Sequence, residues 1–269
     1  MQKGDLVVNI RLDGRSALIT GGSKELGKGV ALKFAAAGAD IAILARNQKD
    51  LDTARSEISS HGNGKVISIS CDLLNAAETD RAFDEAEKGL GKIDIIVNNA
   101  GTSRAGPFMQ ISDKDWQTDF DLKFFSAVRL IRHAIPQMKK QRWGRIINTL
   151  NIGAKAPAAR GAPTAVTRAA GMALTKTLAN EFASDNILVN ALLVGFIKSD
   201  QWVRRYQELK PNLDYDSFIQ EMVEARNIPM GRIGETEEFA NIACFLASDE
   251  AGYITGTAIN VDGGKSPTV

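Results

Sequence analysis

From residue 15 onward, short apolar runs of strand length alternate with longer segments whose apolar residues recur every three or four positions. RSALIT at 15–20 reads as a buried strand that runs through the turn GGSKELG into the helical pattern GVALKFAAAG. DIAILARN, KVISISCDL and KIDIIVNNAG repeat the strand pattern, separated by the helical segments DLDTARSEISSHG and AETDRAFDEAEKGLG. A long helix from Asp113 or Trp116 through Met138 is predicted next. It is followed by the strand GRIINTL, a loop with Gly153 and Pro157, and a helix from about Pro163. ILVNALLV, the helix TEEFANIACFLASDEA and a last strand, TGTAINVDGG, close the chain. Strands apolar throughout and separated by helices predict a parallel sheet covered on both faces, an α/β fold in three α/β/α layers.

Composition narrows the function classes. At 269 residues and 44% hydrophobic content the chain supports one sizeable core, expected over 12–269 after a lead-in of 1–11. Lys and Arg number 33 against 32 Asp and Glu, so no charge footprint for nucleic acid or an acidic membrane is expected. MQKGDLVVNIRLDG has no signal-peptide core and the apolar runs are strand-sized, which predicts a soluble cytoplasmic protein. Cys71 ends a strand run and Cys244 falls in an amphipathic helix, so both are expected as buried free thiols. No metal cluster is expected. Residues 196–230 are irregular and follow a strand's carboxyl end, where a substrate lid is expected, with Trp202 as packing.

The chemistry concentrates at 147–175, INTLNIGAKAPAARGAPTAVTRAAGMALT. Asn151 is expected at the end of a buried strand, and Thr164 and Arg168, four apart, on one helical face. Near the start of the chain, the strand, turn and helix start at 15–30 suit a phosphate, because free N–H groups and the helix dipole face an anion there.

ITGGSKELG after the first strand, CDL at 71–73, NNAG at 98–101, LVNALLVGFIKS, and the tail from PMGRIG to NVDGG together resemble the short-chain dehydrogenase/reductase family over about 12–264. The resemblance implies a doubly wound Rossmann sheet, usually assembled as a homotetramer, with a homodimer as the smaller form. It implies an NAD(P)-dependent oxidoreductase with a small-molecule substrate, whose turn TGxxxGxG maps onto Thr20, Gly21, Glu25 and Gly27, so that Glu25 stands in place of the central glycine. Cofactor contacts are implied at Gly21, Ser23, Lys24, Leu26 and Gly27, at Asp72 and Leu73 for adenine, and at Asn99, Ala100 and Gly101. Gly195, Ile197 and Ser199 match the nicotinamide contacts. Ala45 lacks the carboxylate that NAD-using relatives place there. Arg46 and Lys24 therefore favour the 2′-phosphate of NADP over NAD.

The catalytic set departs further. Where relatives carry Asn, Ser, Tyr and Lys, this chain has Lys123, Asn151, Thr164 and Arg168. An aliphatic hydroxyl is a far weaker acid than a phenol, and Arg168 stays protonated, so it can hold a ribose or an anion but not relay a proton. Asn151 keeps a donor able to polarise a carbonyl. Lys123, near a second cation, is a candidate acid; an ordinary pair with Asp119 one turn back is the plain alternative. Lys155, Arg160, Arg104 and Lys198 are expected around the pocket, where they would suit an anion or simply form a solvated rim. Two readings stay open: an NADP(H)-linked oxidoreductase of unknown substrate, or a catalytically silent binding or assembly protein. A lyase using the Lys123 and Arg168 pocket is a weaker third.

Overall fold

A computed structural model describes residues 9–199, 206–207 and 214–269. Seven strands form one parallel sheet: β1 (Ser16–Thr20), β2 (Asp40–Ala45), β3 (Val66–Ser70), β4 (Ile95–Asn98), β5 (Gly144–Asn151), β6 (Ile187–Val194) and β7 (Ala258–Val261). Their order is β3-β2-β1-β4-β5-β6-β7. The helices are α1 (Glu25–Ala36), α2 (Gln48–Ser59), α3 (Ala76–Leu90), α4 (Asp113–Phe120), α5 (Ser126–Gln141), α6 (Thr164–Phe182), α7 (Tyr215–Ala225) and α8 (Thr236–Ala247). This is the doubly wound α/β arrangement expected, with the order reversing between β1 and β4, so that a crevice opens at their carboxyl ends.

The layers follow from apolar patterning. β1 is buried at all five positions and the interior of β2 at four, as befits strands covered on both faces. On one side Val30, Phe34 and Phe239 bring α1 against α8; on the other Phe83, Leu130 and Ile131 bring α3 against α5. Helix starts are set by short polar side chains: Asn47 accepts from the Asp50 N–H, Asn75 from the Glu78 N–H, and Ser112 forms a capping box with Asp115.

The expected long helix is interrupted. Between α4 and α5, residues Asp121–Phe125 form a π-helical turn that carries Lys123 inward. Such a turn adds a residue without breaking the helix, and it is frequent at functional sites. Periodicity alone does not reveal it. The last strand is also shorter than TGTAINVDGG suggests, and β5 extends to Asn151. Cys71 and Cys244 are buried free thiols. Of residues 196–230, where a lid is expected, α7 is described, with Tyr206 and Tyr215 edge to face beside Phe218; Trp202 lies outside the described residues. Among the described residues no helix is long and apolar enough to cross a membrane, and no group of acidic, His and Cys side chains could hold a metal.

Candidate active site

The crevice is floored by the end of β1. Thr20 donates its hydroxyl to the Val97 carbonyl (3.3 Å) and accepts the N–H groups of Asn99 (2.9 Å) and Ala100 (3.0 Å). Asn99 Nδ2 returns to the Thr20 carbonyl at 3.0 Å. One buried threonine thus ties the glycine turn to the loop after β4. Thr20→Val leaves two N–H groups unpaired and is expected to lower stability by about 1–3 kcal/mol, read by urea denaturation.

The turn itself approaches closely. Gly21 has φ +65°, and a Cβ on Gly27 would lie 2.2 Å from the Gly21 carbonyl oxygen, so only glycine lets α1 begin there. Leu26 and Gly27 are in the first helical turn, where N–H groups have no helical partner. These features fit a dinucleotide phosphate. Glu25 sits at φ +48° and is half-buried, so the residue that replaces glycine keeps glycine's backbone conformation. Lys24 reaches across to Asp50 (2.8 Å) instead of standing free, while Arg46 is exposed with no side-chain partner among the described residues. Ser23 and Asp72 are half-buried in the crevice wall, with the Asp72 carboxylate accepting the Leu74 N–H at 3.1 Å; Leu73 is buried beneath them. Gly101 lies against the Arg168 guanidinium. Gly195, Ile197 and Ser199 follow β6, with Ile197 bridged to Gly234.

Of the four candidate catalytic positions, Lys123 meets Thr164 directly and Arg168 across a small cavity, while Asn151 stands at the end of β5. The Lys123 side chain is fully buried, donating to Asp119 Oδ1 at 2.5 Å and to Thr164 Oγ1 at 3.1 Å. Asp119, also fully buried, accepts from Thr167 Oγ1 at 2.7 Å through its second oxygen. The i,i+4 pair anticipated for Lys123 is present, but it is wired onward into α6. Thr164 Oγ1 also accepts the Arg104 N–H at 3.0 Å. Arg168 donates to the Thr149 carbonyl at 2.6 Å. Its Nε, Asn151 Oδ1, Thr149 Oγ1 and Asn98 Oδ1 are buried without partners. Lys123 and Arg168 share a small cavity with Asn98, Asn148 and Thr149, with room for about one water.

Electrostatics follow from this crowding. Burial, then the positive charge of Arg168, pushes the Lys123 ammonium down to about 8, against the pull of Asp119. Burial weakens Arg168 to about 10, which leaves it charged at neutral pH. The expected ring of cations is not assembled. Lys155 is held by the Ala258 and Val269 carbonyls and Asn260, Arg104 by Asp115, and Lys198 by Glu235. Of the four, only Arg160, exposed at φ +63°, has no such partner among the described residues. Each of the three has a hydrogen-bond or ion-pair partner from another segment, a fact invisible in spacing. Sequence reasoning passed over Thr167, whose only signal is its place one turn beyond Thr164 in TAVTR.

A family model described as enoyl-(acyl carrier protein) reductase matches residues 21–266. The chain is 33% identical over 257 residues to 3-oxoacyl-(acyl-carrier-protein) reductase FabG of Aquifex aeolicus, covering 96% of this chain and 99% of that one. Among solved structures it is similar to L-sorbose reductase from Gluconobacter frateurii complexed with NADPH and L-sorbose. That match has TM-score 0.93 and 33% identity, over 97% of this chain and 100% of the other. It is also similar to an NADPH-bound short-chain oxidoreductase from Pseudomonas aeruginosa containing an atypical catalytic center, with TM-score 0.90 and 31% identity, over 96% of this chain and 99% of that one. Sheet order, glycine turn and these likenesses agree that the chain belongs to the short-chain dehydrogenase/reductase family of oxidoreductases.

Proposed function

We propose that the protein is an NADP(H)-linked oxidoreductase acting on a small carbonyl or alcohol, in which Lys123 supplies the proton that a phenol supplies elsewhere. The sealed Lys123 ammonium between Asp119 and the Thr164 hydroxyl carries this reading. A bound dinucleotide supplies or accepts hydride. Gly21, Ser23, Leu26 and Gly27 hold its pyrophosphate, Lys24 and Arg46 its 2′-phosphate, and Asp72 and Leu73 its adenine. Asn99, Ala100, Gly101 and Arg168 would lie along the ribose, and Gly195, Ile197 and Ser199 at the carboxamide. NADPH in the Gluconobacter and Pseudomonas structures supports the choice of cofactor.

The Lys123 side chain has no exposed surface, and its proton leaves along its hydrogen bond to Thr164. The Thr164 oxygen accepts from both Lys123 and the Arg104 N–H, which leaves its hydrogen for a substrate oxygen. As that hydrogen moves out, Lys123 replaces it, and no free alkoxide forms; the weakness of an aliphatic hydroxyl as an acid is thereby bypassed. Asn151 orients the substrate, and Arg168 stays charged throughout. Exposed Phe125 and Val166, on the π turn and α6, support assembly of copies as a homotetramer or homodimer, and the cytoplasm is the location that goes with this reading.

Reduction needs Lys123 protonated, so its rate is expected to fall as pH rises through about 8, and the reverse oxidation to rise through the same window. NADPH titration of the purified protein, followed by turnover of a carbonyl panel from pH 6.5 to 9.5, tests this; no NADPH binding, or a flat profile, defeats it. One observation favours the silent alternative: Glu25 places a carboxylate in the phosphate turn. Binding undetectable in the natural protein and restored by Glu25→Gly would select it.

A further inference from the structure

We infer that Asp50 sets the discrimination between NADPH and NADH by competing with the 2′-phosphate for Lys24. The inference rests on the NADP(H) reading above and adds a residue to it. Lys24 is the last residue before α1, and its side chain crosses to the first turn of α2, where Asp50 Oδ2 accepts at 2.8 Å. Asp50 is held in place because its N–H donates to the Asn47 side chain at 3.0 Å. Arg46, two residues before α2, has no side-chain partner among the described residues. This edge of the crevice therefore presents one free cation, one tethered cation and the carboxylate that tethers it.

A phosphate seated at Arg46 gains Lys24 only if the ammonium leaves Asp50, and it then lies beside an uncompensated carboxylate. Both effects oppose NADPH, and neither touches NADH, which carries no phosphate there. The tether is breakable because a partly exposed ion pair is weak and screened by salt. Asp50 is thus a positioning residue whose removal tightens one nucleotide and not the other.

Calorimetric titration of the full chain with NADPH and with NADH decides the matter, using Asp50→Asn, Asp50→Ala, Lys24→Met and the double variant Lys24→Met/Asp50→Asn. Both Asp50 variants are expected to bind NADPH about 3–10-fold more tightly, within the scale of a single charge interaction, with NADH unchanged. Lys24→Met is expected to weaken NADPH, and in its background the gain from Asp50→Asn should shrink, because the competed cation is gone. Weaker or unchanged NADPH binding in the Asp50 variants, or an equal gain for NADH, overturns the inference while leaving the cofactor reading intact. Failure of the natural protein to bind either nucleotide defeats both.

Discussion

Asp119→Leu lowers the free energy of unfolding by about 3–5 kcal/mol, the cost of breaking a buried ion pair on one side, and the loss is read from the urea midpoint at constant slope. The Lys123 ammonium would otherwise remain in a fully buried site with Arg168 nearby. It keeps the charge against that repulsion or sheds the proton, and either outcome disfavours folding. Because an unfolded lysine binds its proton up to about pH 10.4, while the folded one releases it lower, the variant's stability should rise with pH across that interval. The double variant Asp119→Leu/Lys123→Met should recover most of the loss, since apolar groups of similar volume replace buried pairs at little cost. A single variant as stable as the natural protein would show that the pair is not sealed.

Lys123→Met should reduce turnover by about 10²–10⁴-fold, the range associated with loss of a positioned acid, while NADPH affinity stays within twofold. The pH limb near 8 should vanish with it. Because this change also strands Asp119 with Thr167 as its remaining partner, the Asp119→Leu/Lys123→Met protein serves as the control. It should be folded, able to bind NADPH, and equally slow. Turnover within fivefold of the natural protein would remove Lys123 from the reaction and leave its pair with Asp119 as structure only.

The contrast between readable and unreadable features runs through single residues. Glu25 was visible as a departure from glycine, yet only the backbone at φ +48° reveals that the chain accommodates it without changing the turn. Lys24 and Arg46 looked alike as exposed cations; Asp50, on the next helix, separates them. Lys155, Arg104 and Lys198 looked like an anion site until their partners at Ala258, Asp115 and Glu235 accounted for them. Lys123 and Asp119 were recognisable as a possible i,i+4 contact. That this contact is buried, and joined to Thr164 and Thr167, depends on a π turn that shifts the helix face by one residue.

The order of apolar runs, the glycine turn and the replaced catalytic set belong to the sequence itself, because strand and helix periods and the lack of a Cβ are local properties. They determined a doubly wound sheet, its family and the absence of the usual tyrosine. Which cations are neutralised, and how deeply Lys123 is sealed, were decided by tertiary structure alone: charge pairing and desolvation depend on neighbours brought from other elements, over distances that no spacing along the chain encodes.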